Sequence, residues 1–176
     1  MQVLHEGLIP CSKIYKVCHL NSYNNDVSVL NEIIDKGIRI LKDNPNSLPF
    51  ITKYADKKIV TTFLLSVIGG YRPEYMLLSF YDENMDLVGA SLVSRGRPWY
   101  APTGIQVINE ECTVAFKRGV GLSRALAFSV ERLAIKNDVK LILFSNANLP
   151  CKKMLENTFE KHLGYSSYKT FYKELI

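Results

Sequence analysis

The most informative part of the sequence is Thr113-Val114-Ala115-Phe116-Lys117-Arg118-Gly119-Val120-Gly121-Leu122-Ser123-Arg124-Ala125-Leu126. It predicts the end of a β-strand, a turn containing glycines, and the start of an amphipathic helix. Gly119 and Gly121 have no Cβ, so the backbone there can adopt positive φ and a bulky anion can approach it closely. Lys117 and Arg118 bring positive charge to the same turn. Because backbone N–H groups and the positive end of a helix dipole converge there, the stretch predicts a phosphate-binding site.

The helix after this turn indicates that a sheet lies beneath it. The helix begins near Val120 and carries a single apolar stripe, formed by Leu122, Leu126, Val130 and Leu133. An ordinary tight strand-to-helix turn is the alternative interpretation of the glycines alone. The spacing excludes two other phosphate loops, since no Gly-Lys-Ser/Thr follows and no third glycine completes a dinucleotide fingerprint.

The turn resembles the acyl-CoA loop of the GCN5-related N-acetyltransferases, the GNAT superfamily. That loop reads Arg/Gln-x-x-Gly-x-Gly/Ala after a strand, and the matching residues here are Arg118-Gly119-Val120-Gly121-Leu122-Ser123. Only the last position departs, and serine is small enough to fit. The resemblance implies that the loop amides hold the CoA pyrophosphate and that the preceding strand, around Thr113 to Phe116, pairs with the pantetheine arm.

A second stretch strengthens the resemblance. Lys140 to Ser145 is a short apolar run of strand type, and a helical pattern follows it. The family's carboxy-terminal signature is a strand, an asparagine, a helix and then Leu-Gly-Phe/Tyr, which Leu163-Gly164-Tyr165 matches. The resemblance implies that an asparagine leaving the strand hydrogen-bonds the CoA arm. We favour Asn148 over Asn146 for this role, and a helix cap is the alternative.

These motifs together give the predicted acyl-CoA site. We expect acetyl-CoA to be the co-substrate and no metal to be bound. The predicted cofactor-binding residues are Val114, Ala115, Phe116, Lys117, Arg118, Gly119, Val120, Gly121, Leu122, Ser123 and Asn148.

One departure from the family bears on catalysis. Many members place a tyrosine four residues before the glycine of the carboxy-terminal signature, where it protonates the leaving thiolate, and this chain has Glu160 there. Tyr165, Tyr168 and Tyr172 lie nearby in sequence and are candidate substitutes, with a packing or surface role as the alternative. We take Tyr165 as the predicted acid. A GNAT-fold protein that binds CoA but has lost turnover is the competing hypothesis.

Direct acyl transfer also needs a base for the amine and a donor for the oxyanion, but no covalent enzyme intermediate. Glu110 and Glu111 lie on or just before the central strand, and alternation sends their side chains to opposite faces. We predict that one of them faces the acceptor amine, and the alternative is that both are solvent-exposed loop carboxylates. The predicted oxyanion donor is a backbone N–H between Val114 and Phe116.

The rest of the chain supplies the element order of the GNAT fold. We expect a mixed α+β fold in which residues 1–176 form one domain, with a central mixed, twisted sheet of about six to seven strands flanked by helices. A V-shaped splay for acyl-CoA is expected between the strand ending near Phe116 and the strand from Lys140. Further strands are predicted at Lys13 to Leu20, Tyr75 to Tyr81 and Leu87 to Ser94, with a hairpin turn at Asp82 to Asp86 and helices from Asp26 to about Asn44 and from Pro49 to Ile68.

Composition narrows the class of protein. The chain has 176 residues, 47% of them apolar, which is enough to bury a core. Its four cysteines and three histidines are scattered, so neither a zinc site nor a disulfide framework is predicted. No membrane or targeting segment is predicted, and we expect a cytoplasmic protein. The net charge of +5 suits acidic partners such as CoA.

The acceptor stays open at this level. An amine is expected, carried by a small polyamine or antibiotic, by a protein, or by a nucleic acid that a GNAT-like enzyme modifies. Arg95-Gly96-Arg97-Pro98-Trp99-Tyr100 precedes the central strand, where the family's acceptor groove lies. Its arginines and tryptophan favour a macromolecular or anionic acceptor, and a purely structural loop is the alternative. The oligomeric state does not follow from the sequence.

Overall fold

The computed structural model describes residues 1–43, 56–97, 105–144 and 157–166. Six strands and three α-helices lie in these ranges, followed by a short π-helical segment. The strands are β1 (Gln2–Glu6), β2 (Lys16–Leu20), β3 (Tyr75–Tyr81), β4 (Leu87–Gly96), β5 (Val107–Ala115) and β6 (Leu141–Leu143), the helices are α1 (Tyr23–Asp43), α2 (Lys57–Ile68) and α3 (Leu122–Lys136), and the π-helical segment is Asn157–His162.

The strands form one mixed sheet in the order β1-β2-β3-β4-β5-β6. Neighbouring strands are antiparallel except β5 and β6, which are parallel. The sequence correctly predicts β3 and the hairpin that joins it to β4, but it misses β1 altogether and extends β2 to Lys13. β1 is an edge strand of polar and half-exposed residues, so the alternating apolar pattern of a buried strand is absent from it.

Helices cover both faces of the sheet. We call these the α3 face and the α1–α2 face. On the α3 face, the predicted apolar stripe packs on the strands, with Leu122, Leu126 and Val130 buried against Val17, Phe80 and Ile108. On the α1–α2 face, Leu30, Ile33, Ile34 and Leu64 are buried against Leu77 and Ala90. Leu133 is partly buried at the edge of the α3-face core.

Helix boundaries differ from the predicted ones where a cap decides them. α1 begins three residues before Asp26, the predicted cap, so Asp26 lies in the first turn of the helix. From there its buried carboxylate accepts hydrogen bonds from the N–H groups of two residues that precede the helix, Asn21 at 3.0 Å and Ser22 at 3.1 Å. α2 begins after Asp56, whose carboxylate accepts from the N–H of Ile59 at 2.9 Å. The start predicted at Pro49 lies outside the described residues.

The carboxy-terminal part is described only in its second half. Residues 157–162 are π-helical, and Gly164 leaves the helix with φ of +73°. This positive φ agrees with the predicted helix end at Gly164. No helix among the described residues is long and apolar enough to cross a membrane.

The splay predicted between β5 and β6 involves residues after Phe144, which lie outside the described ranges. β6 pairs with β5 only along Val107 to Asn109, whereas β5 continues to Ala115. On that side, the edge of β5 from Glu110 to Ala115 has no neighbouring strand among the residues that are described. The open edge leads directly into the glycine-containing loop.

Candidate functional site

The loop between β5 and α3 has the conformation that its sequence predicts. We call residues 118–123 the 118–123 loop. Gly119 and Gly121 have φ of +72° and +73°, in the left-handed region that favours glycine. Within the described chain, no backbone N–H of this loop donates to a backbone carbonyl, and α3 has no side-chain cap. N–H groups left unpaired at the start of a helix are suited to bind an anion.

The two glycines serve different purposes. A Cβ on Gly119 would meet no atom within 4 Å, so the loop is open to a ligand at that point. A Cβ on Gly121 would lie 2.8 Å from the Cα of Ser12 and 2.9 Å from the carbonyl oxygen of Cys11. Internal packing alone therefore requires glycine at position 121. Sequence reasoning missed this because the contact joins segments that are far apart in the chain.

The connection between β1 and β2 holds the loop in place. The N–H of Lys13 donates to the carbonyl of Val120 at 2.8 Å. The Arg124 guanidinium donates to the carbonyl of Cys11 at 3.3 Å. The position of the loop is therefore set from both sides, by the end of β5 and by residues that precede β2.

The two cations before the glycines are not equivalent. The Lys117 ammonium lies 3.0 Å from the carboxylate of Asp82, whose side chain is only 8% exposed. The hydrogen bond from Lys117 lowers the pKa of Asp82 below its usual value. Lys117 is thus directed towards the β3–β4 turn, and the exposed Arg118 is the better placed of the two to meet an anion at the loop.

The end of β5 offers backbone groups of two orientations. The N–H of Phe116 donates to the carbonyl of Val88 at 2.9 Å, so it is used within the sheet. Because N–H directions alternate along a strand, Val114 also turns its N–H towards β4, and Ala115 turns its N–H towards the open edge. Of the three N–H groups predicted as oxyanion donors, only that of Ala115 therefore faces the open edge of β5.

A β-bulge separates the two candidate bases. Leu92 pairs with Cys112 and Val93 with Glu110, so Glu111 is the extra residue in β5. The Glu111 carboxylate accepts a short hydrogen bond from the hydroxyl of Ser94, a residue that is 8% exposed.

The two carboxylates lie on opposite faces of the sheet. Ser94 pairs with Tyr75, whose ring packs on Phe63 of α2 at 5.1 Å, so Glu111 lies on the α1–α2 face. Glu110 pairs with Val93, a core residue of the α3 face. The opposite orientation expected from alternation is therefore observed.

Cys112 lies beside these carboxylates and is protonated at neutral pH. Burial, and secondarily the charge of Glu110, raises the pKa of the Cys112 thiol to about 11. The group is therefore a neutral thiol, and not a thiolate nucleophile.

Tyr165 lies at the other end of α3. Its hydroxyl donates to the Glu131 carboxylate at 2.7 Å, and its ring packs on Phe144 and Phe159 with centroids 5.3 Å and 5.5 Å away. Burial, followed by Glu131, raises the pKa of Tyr165 well above its usual value, so the hydroxyl stays protonated at neutral pH. Its catalytic role stays a prediction.

Several residues that the sequence predicts for the site lie outside the described ranges. They are Asn146, Asn148, Tyr168, Tyr172 and residues 98–100 of the predicted acceptor loop.

Solved structures resemble the chain although their sequences differ widely from it. A GNAT family acetyltransferase from Staphylococcus aureus matches with a TM-score of 0.58 at 15% identity, over 91% of this chain and 97% of that one. An aminoglycoside acetyltransferase from an uncultured soil metagenomic sample, in complex with sisomicin, gives a TM-score of 0.60 at 12% identity, over 92% and 96%. The chain has the GNAT fold. A mutant of the BH1408 protein from Bacillus halodurans gives a TM-score of 0.66 at 13% identity, over 91% and 99%.

These likenesses establish the GNAT fold, and no activity follows from them alone. No family model matches the sequence, and no curated protein sequence matches it.

Gly89 of β4 is a further residue whose role the sequence did not reveal. A Cβ at this position would lie 2.7 Å from a side-chain methyl of Leu122. That close approach of β4 to the first residue of α3 fixes where the helix begins relative to the sheet. A glycine inside a strand was the only available signal.

Proposed function

We propose that this chain is an acyl-CoA-dependent N-acyltransferase, which moves an acetyl group from acetyl-CoA to an amine within a ternary complex. The observation that carries the proposal is the 118–123 loop. Its glycines have positive φ and its N–H groups have no backbone acceptor in the described residues, and the loop follows the part of β5 that lies beyond its pairing with β6. The loop would bind the CoA pyrophosphate, and the open edge of β5 would pair with the pantetheine arm.

The chemistry uses groups that border the open edge. The acceptor nitrogen attacks the thioester carbon and loses a proton to a carboxylate, and the resulting oxyanion accepts a hydrogen bond from the N–H of Ala115. We assign the base to Glu111, because its carboxylate is exposed while the Ser94 hydroxyl holds one of its oxygens. Collapse of the intermediate then breaks the carbon–sulfur bond and releases the CoA thiolate.

The proton for the thiolate is assigned to Tyr165. Its hydroxyl is protonated at neutral pH, as an acid requires, and its raised pKa makes it a weaker proton donor than an ordinary tyrosine. In the structure this proton is donated to Glu131, so the hydroxyl must change its partner when acyl-CoA is bound. A Tyr165→Phe variant that releases thiol at the wild-type rate would remove this assignment.

For the acceptor, we propose an amine on a macromolecular or anionic molecule. The net charge of the chain is +5, which favours an acidic partner over a cationic one. The soil metagenomic enzyme with the same fold is an aminoglycoside acetyltransferase, so a cationic antibiotic is the appropriate competing substrate in a test.

Calorimetric titration with acetyl-CoA and with CoA tests the donor site, using wild type and Gly119→Glu. Thiol release is then followed with an alanine-initiated peptide, spermidine and sisomicin as acceptors. Binding that is lost in Gly119→Glu, together with thiol release, supports the transferase. Binding without thiol release from any acceptor supports the CoA-binding protein that has lost turnover. Absence of binding to wild type overturns the proposal.

A further inference from the structure

A groove outside the acyl-CoA site lies between β1 and α3. Its volume is about 280 Å³. Leu4 and His5 of β1 and Phe128 and Leu133 of α3 form its floor, and Arg132 and Lys136 lie along its α3 side. In the floor, the His5 and Phe128 rings pack edge to face with their centroids 5.1 Å apart, and the His5 Nε2 lies 2.9 Å from the carbonyl oxygen of Gly7.

One wall of the groove is the outer edge of the described sheet. β1 is the terminal strand of the sheet, and its only strand neighbour in the described chain is β2. In an antiparallel pair, alternate N–H and C=O groups point away from the neighbour, so on either side of the register shift between Val3 and His5 the strand β1 presents outward backbone groups that have no strand partner in the described chain. Val3 is 47% exposed there. Such an edge accepts an additional extended strand.

The other wall is basic. Arg132 and Lys136 are four residues apart on α3 and therefore lie on the same side of the helix. Neither has an acidic partner in the described part of the chain, and no Asp or Glu lines the groove. The Arg132 guanidinium lies 5.3 Å from the centroid of the Phe128 ring. The acid at the end of β1, Glu6, lies 3.6 Å from Lys16 and not in the groove.

We propose that the β1–α3 groove binds an extended acidic peptide segment, which adds a strand to β1. Every second side chain of an added strand would point into the groove. Acidic side chains would meet Arg132 and Lys136, and apolar side chains would pack on Phe128 and Leu133. A small anion would neutralise Arg132 and Lys136 but would form no strand pairing with β1. An acidic peptide can do both. This inference is independent of the proposed acyl transfer.

The test is fluorescence anisotropy with a labelled peptide of alternating Glu and Val, six residues in length and blocked at both ends. Wild type is expected to bind it, and Arg132→Glu with Lys136→Glu to weaken binding about tenfold or more, because two attractive contacts become repulsive. Arg39→Glu with Lys58→Glu is the matched control, since it changes the net charge equally at exposed positions on α1 and α2, which cover the opposite face of the sheet. The control is expected to bind like wild type.

Two further probes separate strand addition from simple charge attraction. A Lys–Val peptide of the same length is expected not to bind. A Glu–Val peptide with alternate backbone nitrogens methylated on its pairing edge is expected to bind at least about tenfold more weakly, since it cannot donate to β1. The proposal is overturned if wild type does not bind the Glu–Val peptide, if the control variant loses as much affinity as the groove variant, or if methylation has no effect. Thermal unfolding of each variant verifies that it is folded.

Discussion

Substitutions at Gly119 and Gly121 should separate ligand binding from folding, because the two glycines have similar φ but different surroundings. A non-glycine residue at positive φ costs roughly 1–2 kcal/mol at either position. Gly119→Ala adds nothing further, since its Cβ would meet no atom within 4 Å. Gly121→Ala places Cβ 2.8 Å from the Cα of Ser12, and such overpacking adds roughly 1–3 kcal/mol.

The expected stability loss is therefore about 1–2 kcal/mol for Gly119→Ala and about 2–5 kcal/mol for Gly121→Ala. Urea unfolding measures both values. For binding, Gly119→Glu brings a carboxylate to the open side of the loop. This carboxylate and a phosphate of CoA, taken as two like charges about 4 Å apart, would repel by about 4 kcal/mol at an effective dielectric constant of about 20. A third of that repulsion energy already weakens binding about tenfold.

Calorimetry with acetyl-CoA gives the decisive result. Wild-type affinity in a folded Gly119→Glu variant would refute the phosphate-binding role of the loop. Equal stability of Gly119→Ala and Gly121→Ala would refute the argument from the contact of Gly121 with Ser12. The two outcomes are independent, because the first is a property of the ligand site and the second of the protein interior.

Three further predictions follow from contacts around the site. Ser94→Ala should lower kcat about tenfold and leave the affinity for acetyl-CoA unchanged, because it releases the Glu111 carboxylate. In a Glu111→Gln background the same substitution should have no further effect on kcat, and additive effects in steady-state kinetics would contradict this coupling. Because Lys117 lowers the pKa of Asp82, their interaction stabilises the fold at neutral pH and is lost as Asp82 is protonated. The difference in unfolding free energy between wild type and Lys117→Met should therefore shrink as the pH falls below the usual pKa of an Asp carboxyl; a difference that keeps its full size in acid would exclude the ion pair as its cause. Gly89→Ala should cost about 1–3 kcal/mol in urea unfolding, since its Cβ would lie 2.7 Å from a side-chain methyl at the start of α3; a loss below about 0.5 kcal/mol would show that α3 can shift at little cost.

Local patterns predicted much of the GNAT fold. β3 has the predicted bounds of Tyr75–Tyr81, because a buried strand between two turns shows its apolar run without help from the rest of the chain. The apolar stripe of α3 and the positive φ of Gly119 and Gly121 are also local properties, set by helical periodicity and by the missing Cβ. The 118–123 loop, which is the central element of the candidate site, can therefore be located from the amino-acid sequence alone.

The strand β1 could not be predicted in this way. Its five residues are polar or half-exposed, and it is a strand only because β2 lies beside it to accept its hydrogen bonds. The bulge at Glu111 is likewise a property of the pairing between β4 and β5, and it decides which carboxylate is on which face.

By itself, the sequence determined the order of most elements, the strand–loop–helix that would bind a phosphate, and the presence of two carboxylates near it. Only the tertiary structure decided that Gly121 must be glycine to clear Cys11 and Ser12, and that Lys117 turns away from the loop towards Asp82. The reason is physical. Periodicity and conformational preference act over a few neighbouring residues, whereas these contacts join residues far apart in the chain, which meet only when the sheet and the helices pack.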